Sequence, residues 1–221
     1  MAGVWSRPWA TRYCFPMKVV LASGNANKHK EFNILLKGSE IELVPQSEKL
    51  EVEENGNSFL SNALIKAKAW SNKTGLPALA DDSGIIVRAI NWLPGIRSAR
   101  IIEGTDEDRN RWLLAQLKDR EDRYAEYVAA LALYDCENGW VIETEGRCPG
   151  VIADRERGSF GFAYDPLFIP NGYSETFGEL PDEVKLKISH RSIALNKLLY
   201  VVFRSSVIKS KIDFENEQDF L

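Results

Sequence analysis

The chain has 221 residues, with 28 Lys and Arg against 32 Asp and Glu, a formal charge of −4. Apolar residues make up 44% and charged residues 27%, ordinary globular values that exclude wholesale disorder. The acidic balance argues against a nucleic-acid-coating surface, no apolar run approaches the ~18 residues of a membrane span, and two histidines exclude a His-rich metal site.

Residues 1–17 read as an N-terminal extension: Trp5, Trp9, Tyr13 and Phe15 sit among arginines with no acid, ahead of Met17. An unstructured leader and a short transit peptide are both open readings. The folded domain is expected over 18–203. Val19 to Ala22 suits a buried strand, Ser23-Gly24-Asn25 a tight turn, and Lys28 to Leu36 a helix. Ile41 to Val44 reads as a short strand. Asn57 to Thr74 is the clearest helix: Phe59, Ala63, Ala67 and Trp70 recur at helical spacing, with Asn57 or Ser58 to cap it and Gly75 to end it.

Pro77 to Ala80 reads as an apolar run broken by Asp81-Asp82-Ser83-Gly84, and Ile85 to Ile90 as a separate strand. Asp106 to Lys118 predicts a helix with Leu113, Leu114 and Leu117 inward. Tyr124 to Tyr134 is Ala-rich and ambiguous between strand and helix; with Trp140 to Thr144 it reads as a long hairpin. Val151-Ile152 and Phe160 to Ile169 predict extended pieces, 182–203 a partly helical stretch, and 204–221 a polar tail. The mixture points to an α/β fold in which the hairpin forms a second lobe. Three cysteines, Cys14, Cys136 and Cys148, form no CxxC pair and suit a reducing compartment.

Five stretches carry candidate chemistry. Ser23 to Lys28, SGNANK, places small residues, an amide and a cation where a strand meets a helix, the arrangement a phosphate favours. An ordinary helix cap is the plain alternative. Asp81-Asp82-Ser83-Gly84 offers a carboxylate for Mg²⁺, or a polar turn. Glu51, Glu53 and Glu54 form a solvated acidic loop unless the fold brings them beside Asp82. Gly158 to Pro166 suits a pocket wall on which a flat ring stacks, or a bulge with core aromatics. Lys185 with Ser189-His190-Arg191 supplies donors for a base carbonyl or phosphates, or a capped helix start with surface charges.

Six blocks in order, SGNANK at 23–28, EENGNSFLSNALIKAKA at 53–69, LADDSG at 79–84, PGIRSAR at 94–100, GFAYDPLF at 161–168 and EVKLKISHR at 183–191, resemble the inosine triphosphate pyrophosphatase family, the XTP/dITP diphosphatases. The resemblance spans about residues 18–200. It implies an elongated, two-lobed mixed-sheet fold with the active site in the cleft between lobes. It also implies Mg²⁺-dependent hydrolysis of ITP, dITP and XTP to the monophosphate and pyrophosphate, by a cytoplasmic homodimer with no nucleic-acid or membrane partner.

Carried over by motif, Ser23, Gly24, Asn25, Ala26, Asn27 and Lys28 hold the triphosphate. Glu53 and Asp82 serve the metal, Asp82 doubling as the proton acceptor, and Ser83 touches substrate. Phe162, Ala163, Tyr164, Asp165, Lys185, His190 and Arg191 form the nucleoside pocket. The chain departs from the pattern at Ala163, where Gly is usual, at Arg97, where Tyr is common, and at Asn91-Trp92. A nucleotide-binding module without catalysis, a scaffold built on the 57–74 helix, and a pyrimidine-directed pyrophosphatase are the competing readings. Retention of Glu53, Asp82 and Lys28 favours the enzyme.

Overall fold

The structure, a computed structural model, describes residues 16–45 and 50–203. Most of the expected leader and all of the expected tail lie outside those residues.

Strand β1 (Met17–Leu21) is buried except at Lys18, as its continuous apolar run requires. Helix α1 (Ala26–Leu35) follows, two residues earlier than the apolar spacing indicates, because Asn25 caps it by accepting the N–H groups of Asn27 (2.9 Å) and Lys28 (3.3 Å). β2 (Ile41–Val44) and β3 (Ala78–Val87) flank β1 in parallel. Helix α2 (Phe59–Thr74) crosses between β2 and β3, opened by a reciprocal Ser58–Ser61 cap and closed by Gly75 in the left-handed conformation. The short β4 (Leu93–Pro94) pairs with the end of β3, and helix α3 (Asp106–Gln116) starts on a Thr105–Asp108 capping box.

β5 (Tyr124–Asp135) and β6 (Trp140–Ile152) form the long hairpin. The Ala-rich segment is therefore strand, and its Ala132 packs with Ala63, Ala67 and Trp70 of α2 and with Ala78 and Ala80 of β3. β6 alternates strictly buried and exposed near its ends, the signature of a strand with one wet face. β7 (Phe168–Pro170) adds the last strand, so only the end of the expected 160–169 extended piece is sheet; the rest is turns. Helix α4 (Asp182–Ile188) breaks at Ser189, and α5 (190–203) resumes.

All seven strands of the described residues join one mixed sheet in the order β2-β1-β3-β5-β6-β7, with β4 beside β3. One core packs α1 and α5 on one face, around Phe32, Leu79, Leu131 and Leu198. The α2 core occupies the other face, and a third cluster, around Leu113, Tyr127, Phe168 and Phe177, fills the far end. Gly146 fixes where α5 begins: a Cβ there would meet the His190 carbonyl at 2.1 Å and the Ala194 nitrogen at 2.4 Å. Only glycine on β6 lets the first turn of α5 lie flat on the sheet, and that turn carries His190 and Arg191.

β3 is one unbroken ten-residue strand. The expected break at Asp81-Asp82-Ser83-Gly84 is corrected: the acids sit mid-strand, opposite Leu131 and Ala130 of β5. On β3's other edge, β1 stops at Leu21 opposite Leu79, and β4 begins only opposite Ile86. The edge between those points, which contains Asp81 to Gly84, is open.

Candidate active site

A cavity of about 380 Å³ opens at that gap in the sheet. Because neighbouring strand residues face opposite ways, Asp81 and Asp82 meet different partners. Asp81 points with Leu79 toward α1 and α5. Its carboxylate takes Lys28 Nζ at 2.6 Å, Arg191 Nε at 3.4 Å and the Ser83 hydroxyl at 3.0 Å. Burial alone would raise its pKa, but Lys28 and Arg191 outweigh burial and hold the carboxyl far below the usual range.

Asp82 points with Ala80 toward α2. It accepts from Asn62 Nδ2 at 3.2 Å and pairs with Lys66 Nζ at 3.2 Å. Burial raises its pKa, and Glu54 adds to the rise against the pull of Lys66. Lys66 also bonds Glu54 at 3.2 Å and the Asp81 carbonyl at 2.9 Å. Glu54 in turn pairs with Arg100 at 2.8 Å.

Lys28, Arg191 and Lys185 are interleaved with Asp81, Glu31 and Asp165, three cations against three carboxylates. Lys185 lies 2.6 Å from Asp165 and 2.9 Å from Glu31; Arg191 pairs with Glu31 as well as Asp81. Those two carboxylates outweigh burial and keep Lys185 charged, its pKa raised. Arg191 Nη2 also donates to Ser83 Oγ at 2.9 Å, so much of the guanidinium is committed within the protein. His190 stacks flat on Tyr127, 4.6 Å between ring centres. Burial, and then Arg191, push its pKa well below the ordinary value, so the ring is neutral.

Of the residues singled out from sequence, Ser23, Gly24, Asn25, Asn27 and Lys28 line the cavity at the mouth of α1. His29 buttresses that turn by donating from Nε2 to the Ser23 carbonyl at 2.6 Å. Asp82, Ser83, Lys185, His190 and Arg191 line the floor, and Phe162, Ala163, Tyr164 and Asp165 a wall. Ala26 is exposed and outside the lining.

Glu53, the acid expected beside Asp82, is also exposed and outside the lining; Glu54 stands there instead. The 51–56 segment alternates out and in, so a shift of one residue moves a carboxylate from solvent to cavity. The wall has its own supports. Asp165 accepts the Phe162 N–H at 2.7 Å, Asp106 accepts the Ala163 N–H at 3.0 Å, and the Tyr164 hydroxyl donates to the Ser98 carbonyl at 2.8 Å. Ala163 is held at φ +54°, a conformation that favours glycine. Lys185 lies 4.6 Å from the centre of the Phe162 ring.

Asn62, Lys66, Glu31 and Asp106 were not singled out. One signal was available: Asn62 and Lys66 are four apart in the clearest helix, beside its Ala63–Ala67 apolar stripe, and so share one flank.

Among the described residues no group of three or more His, Cys, Asp or Glu is poised for a metal. Two carboxylates, Asp82 and Glu54, share the single ammonium of Lys66. That donor set fits Mg²⁺, which takes one or two carboxylates and fills its octahedron with water and phosphate oxygens.

Comparison with known proteins gives a consistent picture. The sequence model of the Ham1 family matches residues 19–201. A dITP/XTP pyrophosphatase of Aquifex aeolicus (strain VF5) is 43% identical over 197 residues, covering 84% of this chain and 96% of that protein. The structure of a HAM1 protein from Coxiella burnetii superposes with a TM-score of 0.78 at 38% identity, covering 85% of this chain and 99% of that one. A nucleoside-triphosphatase, dITP/XTP pyrophosphatase, from Mycobacterium abscessus is 45% identical, with a TM-score of 0.67 over 83% of this chain and 99% of that one.

Proposed function

The chain belongs to the Ham1 family, and from that premise we propose that it is a pyrophosphohydrolase that cleaves non-canonical purine nucleoside triphosphates, ITP, dITP and XTP, to the monophosphate and pyrophosphate. One observation carries this reading. A capped helix N-terminus with Lys28 and a carboxylate pair, Asp82 and Glu54, line one cavity. The first is built for phosphate, the second for a divalent cation and a water.

Asp82 and Glu54 would hold Mg²⁺, which supplies charge neutralisation to the phosphates and the departing pyrophosphate. The α1 N-terminus and Lys28 bind phosphate oxygens; Lys28 reaches them by exchanging its bond to Asp81. Asp82, which lines the cavity beside Glu54, orients the attacking water and accepts its proton. The base stacks toward Phe162, beside which Lys185 and Arg191 lie. The neutral His190, and the part of the Arg191 guanidinium not tied to Asp81, Glu31 and Ser83, offer donors to a 6-oxo group. Adenine's 6-amino group would leave those donors unpaired. Guanine shares the 6-oxo group, so its rejection must come from its 2-amino group.

The test is pyrophosphate release with Mg²⁺ from ITP, XTP, GTP, ATP and dUTP. Fast release from ITP and XTP, with little from ATP and GTP, is expected. Equal turnover of GTP and ITP removes the base-selection argument, and no release from any of them removes the enzyme. We place the protein in the cytoplasm as a homodimer. The free thiols of Cys136 and Cys148 support a reducing compartment, and no helix of the described residues is long and apolar enough to cross a membrane.

A further inference from the structure

Asn62 is fully buried on α2 and lies outside the cavity lining. Its carboxamide is used at both ends. Nδ2 donates to Asp82 Oδ2 at 3.2 Å, and Oδ1 accepts the backbone N–H of Gly56 at 2.9 Å. Gly56 is two residues past Glu54. A single side chain therefore joins the strand that carries one cavity acid to the loop that carries the other. The loop must come close for this. A Cβ on Gly56 would lie 2.6 Å from Asn62 Oδ1 and 2.3 Å from Ser61 Oγ, distances only glycine avoids. Asp82 Oδ2 is turned to Asn62, while its Oδ1 is turned to Lys66, which also bonds Glu54. With both helix residues in place, the two carboxylates have a fixed separation and orientation.

We propose that Asn62 is a positioning residue of the hydrolytic centre: its carboxamide sets the orientation of Asp82 and the approach of the Glu54 loop, without touching substrate. This rests on the reading of Asp82 and Glu54 as the metal-and-water side of the site. It assigns a reason to three features at once: a fully buried asparagine, a glycine at 56, and a helix that begins beside an acidic loop. An amide suits the position because it donates to a carboxylate and accepts from a backbone N–H simultaneously. Aspartate and leucine each lose at least one of the two bonds.

The experiment compares wild type, Asn62→Ala and Gly56→Ala, full chain, with two readouts. The first is steady-state hydrolysis of ITP; the second is binding of Mn²⁺ alone, by electron paramagnetic resonance. Loss of an outer-shell partner lowers metal affinity or turnover about 10- to 100-fold. Asn62→Ala is therefore expected to lower kcat within that range, weaken Mn²⁺ about tenfold or more, and leave KM for ITP within about threefold. Gly56→Ala, in a partly exposed loop, is expected to change both readouts in the same direction by less.

A folded Asn62→Ala protein with wild-type kcat and Mn²⁺ affinity overturns the proposal, as does a change confined to KM. If Asn62→Ala does not fold, wild-type kcat and Mn²⁺ affinity in Gly56→Ala overturn it. Wild-type protein that binds Mn²⁺ but hydrolyses none of the nucleotides defeats the functional reading, and the Mn²⁺ comparison still decides the role of Asn62.

Discussion

The two faces of β3 differ more than its sequence suggests. Asp81 and Asp82 are chemically identical neighbours, yet burial is overcome at one and prevails at the other. Asp81 meets two cations at close range, Lys28 and Arg191, and stays ionised far below the usual pH range. Asp82 has one ammonium, shared with Glu54, and its proton affinity rises. A carboxylate whose charge is offset by two cations anchors structure; one that shares a single ammonium is poised to take a proton or a metal. The pair teaches that a role is assigned by the surrounding charges, not by the residue type.

The sharpest way to break the comparison is to neutralise each acid in turn. Asp82→Asn should lower kcat by about 10³-fold, within the range for loss of a proton acceptor, while the unfolding midpoint in urea stays near wild type. Near-normal turnover would remove Asp82 from the chemistry. Asp81→Asn should act first on stability. It leaves Lys28 and Arg191 short of a buried counter-charge, and breaking such a group costs about 3–5 kcal/mol. A loss under about 1 kcal/mol in urea unfolding would mean the ion cluster is not what holds this face.

Acid titration of stability separates the same groups. His190 is neutral when folded, so below its ordinary pKa of 6.5 the unfolded chain binds a proton that the folded chain does not. Stability therefore falls as pH drops below about 6.5. Asp81, depressed in the folded state, contributes stability that is lost only further down, as pH falls below the ordinary 3.8. The thermal midpoint should decline in two stages; His190→Gln should remove the first, and Asp81→Asn should shrink the second, to which Glu31 and Glu54, also held below their ordinary range by their cations, contribute. An unchanged profile in His190→Gln would mean the ring protonates when folded.

The smallest expected effect lies in the wall. Ala163 pays for a left-handed backbone at φ +54° that costs a non-glycine residue about 1–2 kcal/mol. Ala163→Gly should raise stability by up to about 1 kcal/mol after glycine's entropy is subtracted, or about 2–4 °C in Tm for a chain of this size. A fall in Tm would show that the methyl packs usefully.

Local pattern made α2 legible, because Phe59, Ala63, Ala67 and Trp70 repeat at the helical period and its caps are adjacent in sequence. The parallel β1 and β2 were legible for the same reason, being short apolar runs between turns. β3 was not, since two acids interrupt an apolar run. What keeps Asp81-Asp82 in a buried strand is Lys28 from α1, Lys66 from α2 and Arg191 from α5, partners 53, 16 and 110 residues away that no local window contains. The β5 segment was ambiguous because alanine favours helices; the need for α2 to sit close explains alanine in a strand. At the site, most of the cavity residues were found by motif, but Glu53 and Glu54 were separated only by which way an extended loop turns. Arg191 is legible in sequence as a donor, but its ties to Asp81, Glu31 and Ser83 appear only in three dimensions.

The open edge of β3 carries one more consequence. An unpaired run of strand backbone is a template for a stranger's strand, and proteins blunt such edges with lysine. Here Lys28 and Lys66 both reach the Asp81 carbonyl, at 3.4 and 2.9 Å, each from a different helix. The acceptor that an incoming peptide would need is already taken. The ammonium groups that serve the cavity thus also guard the sheet against edge-to-edge association.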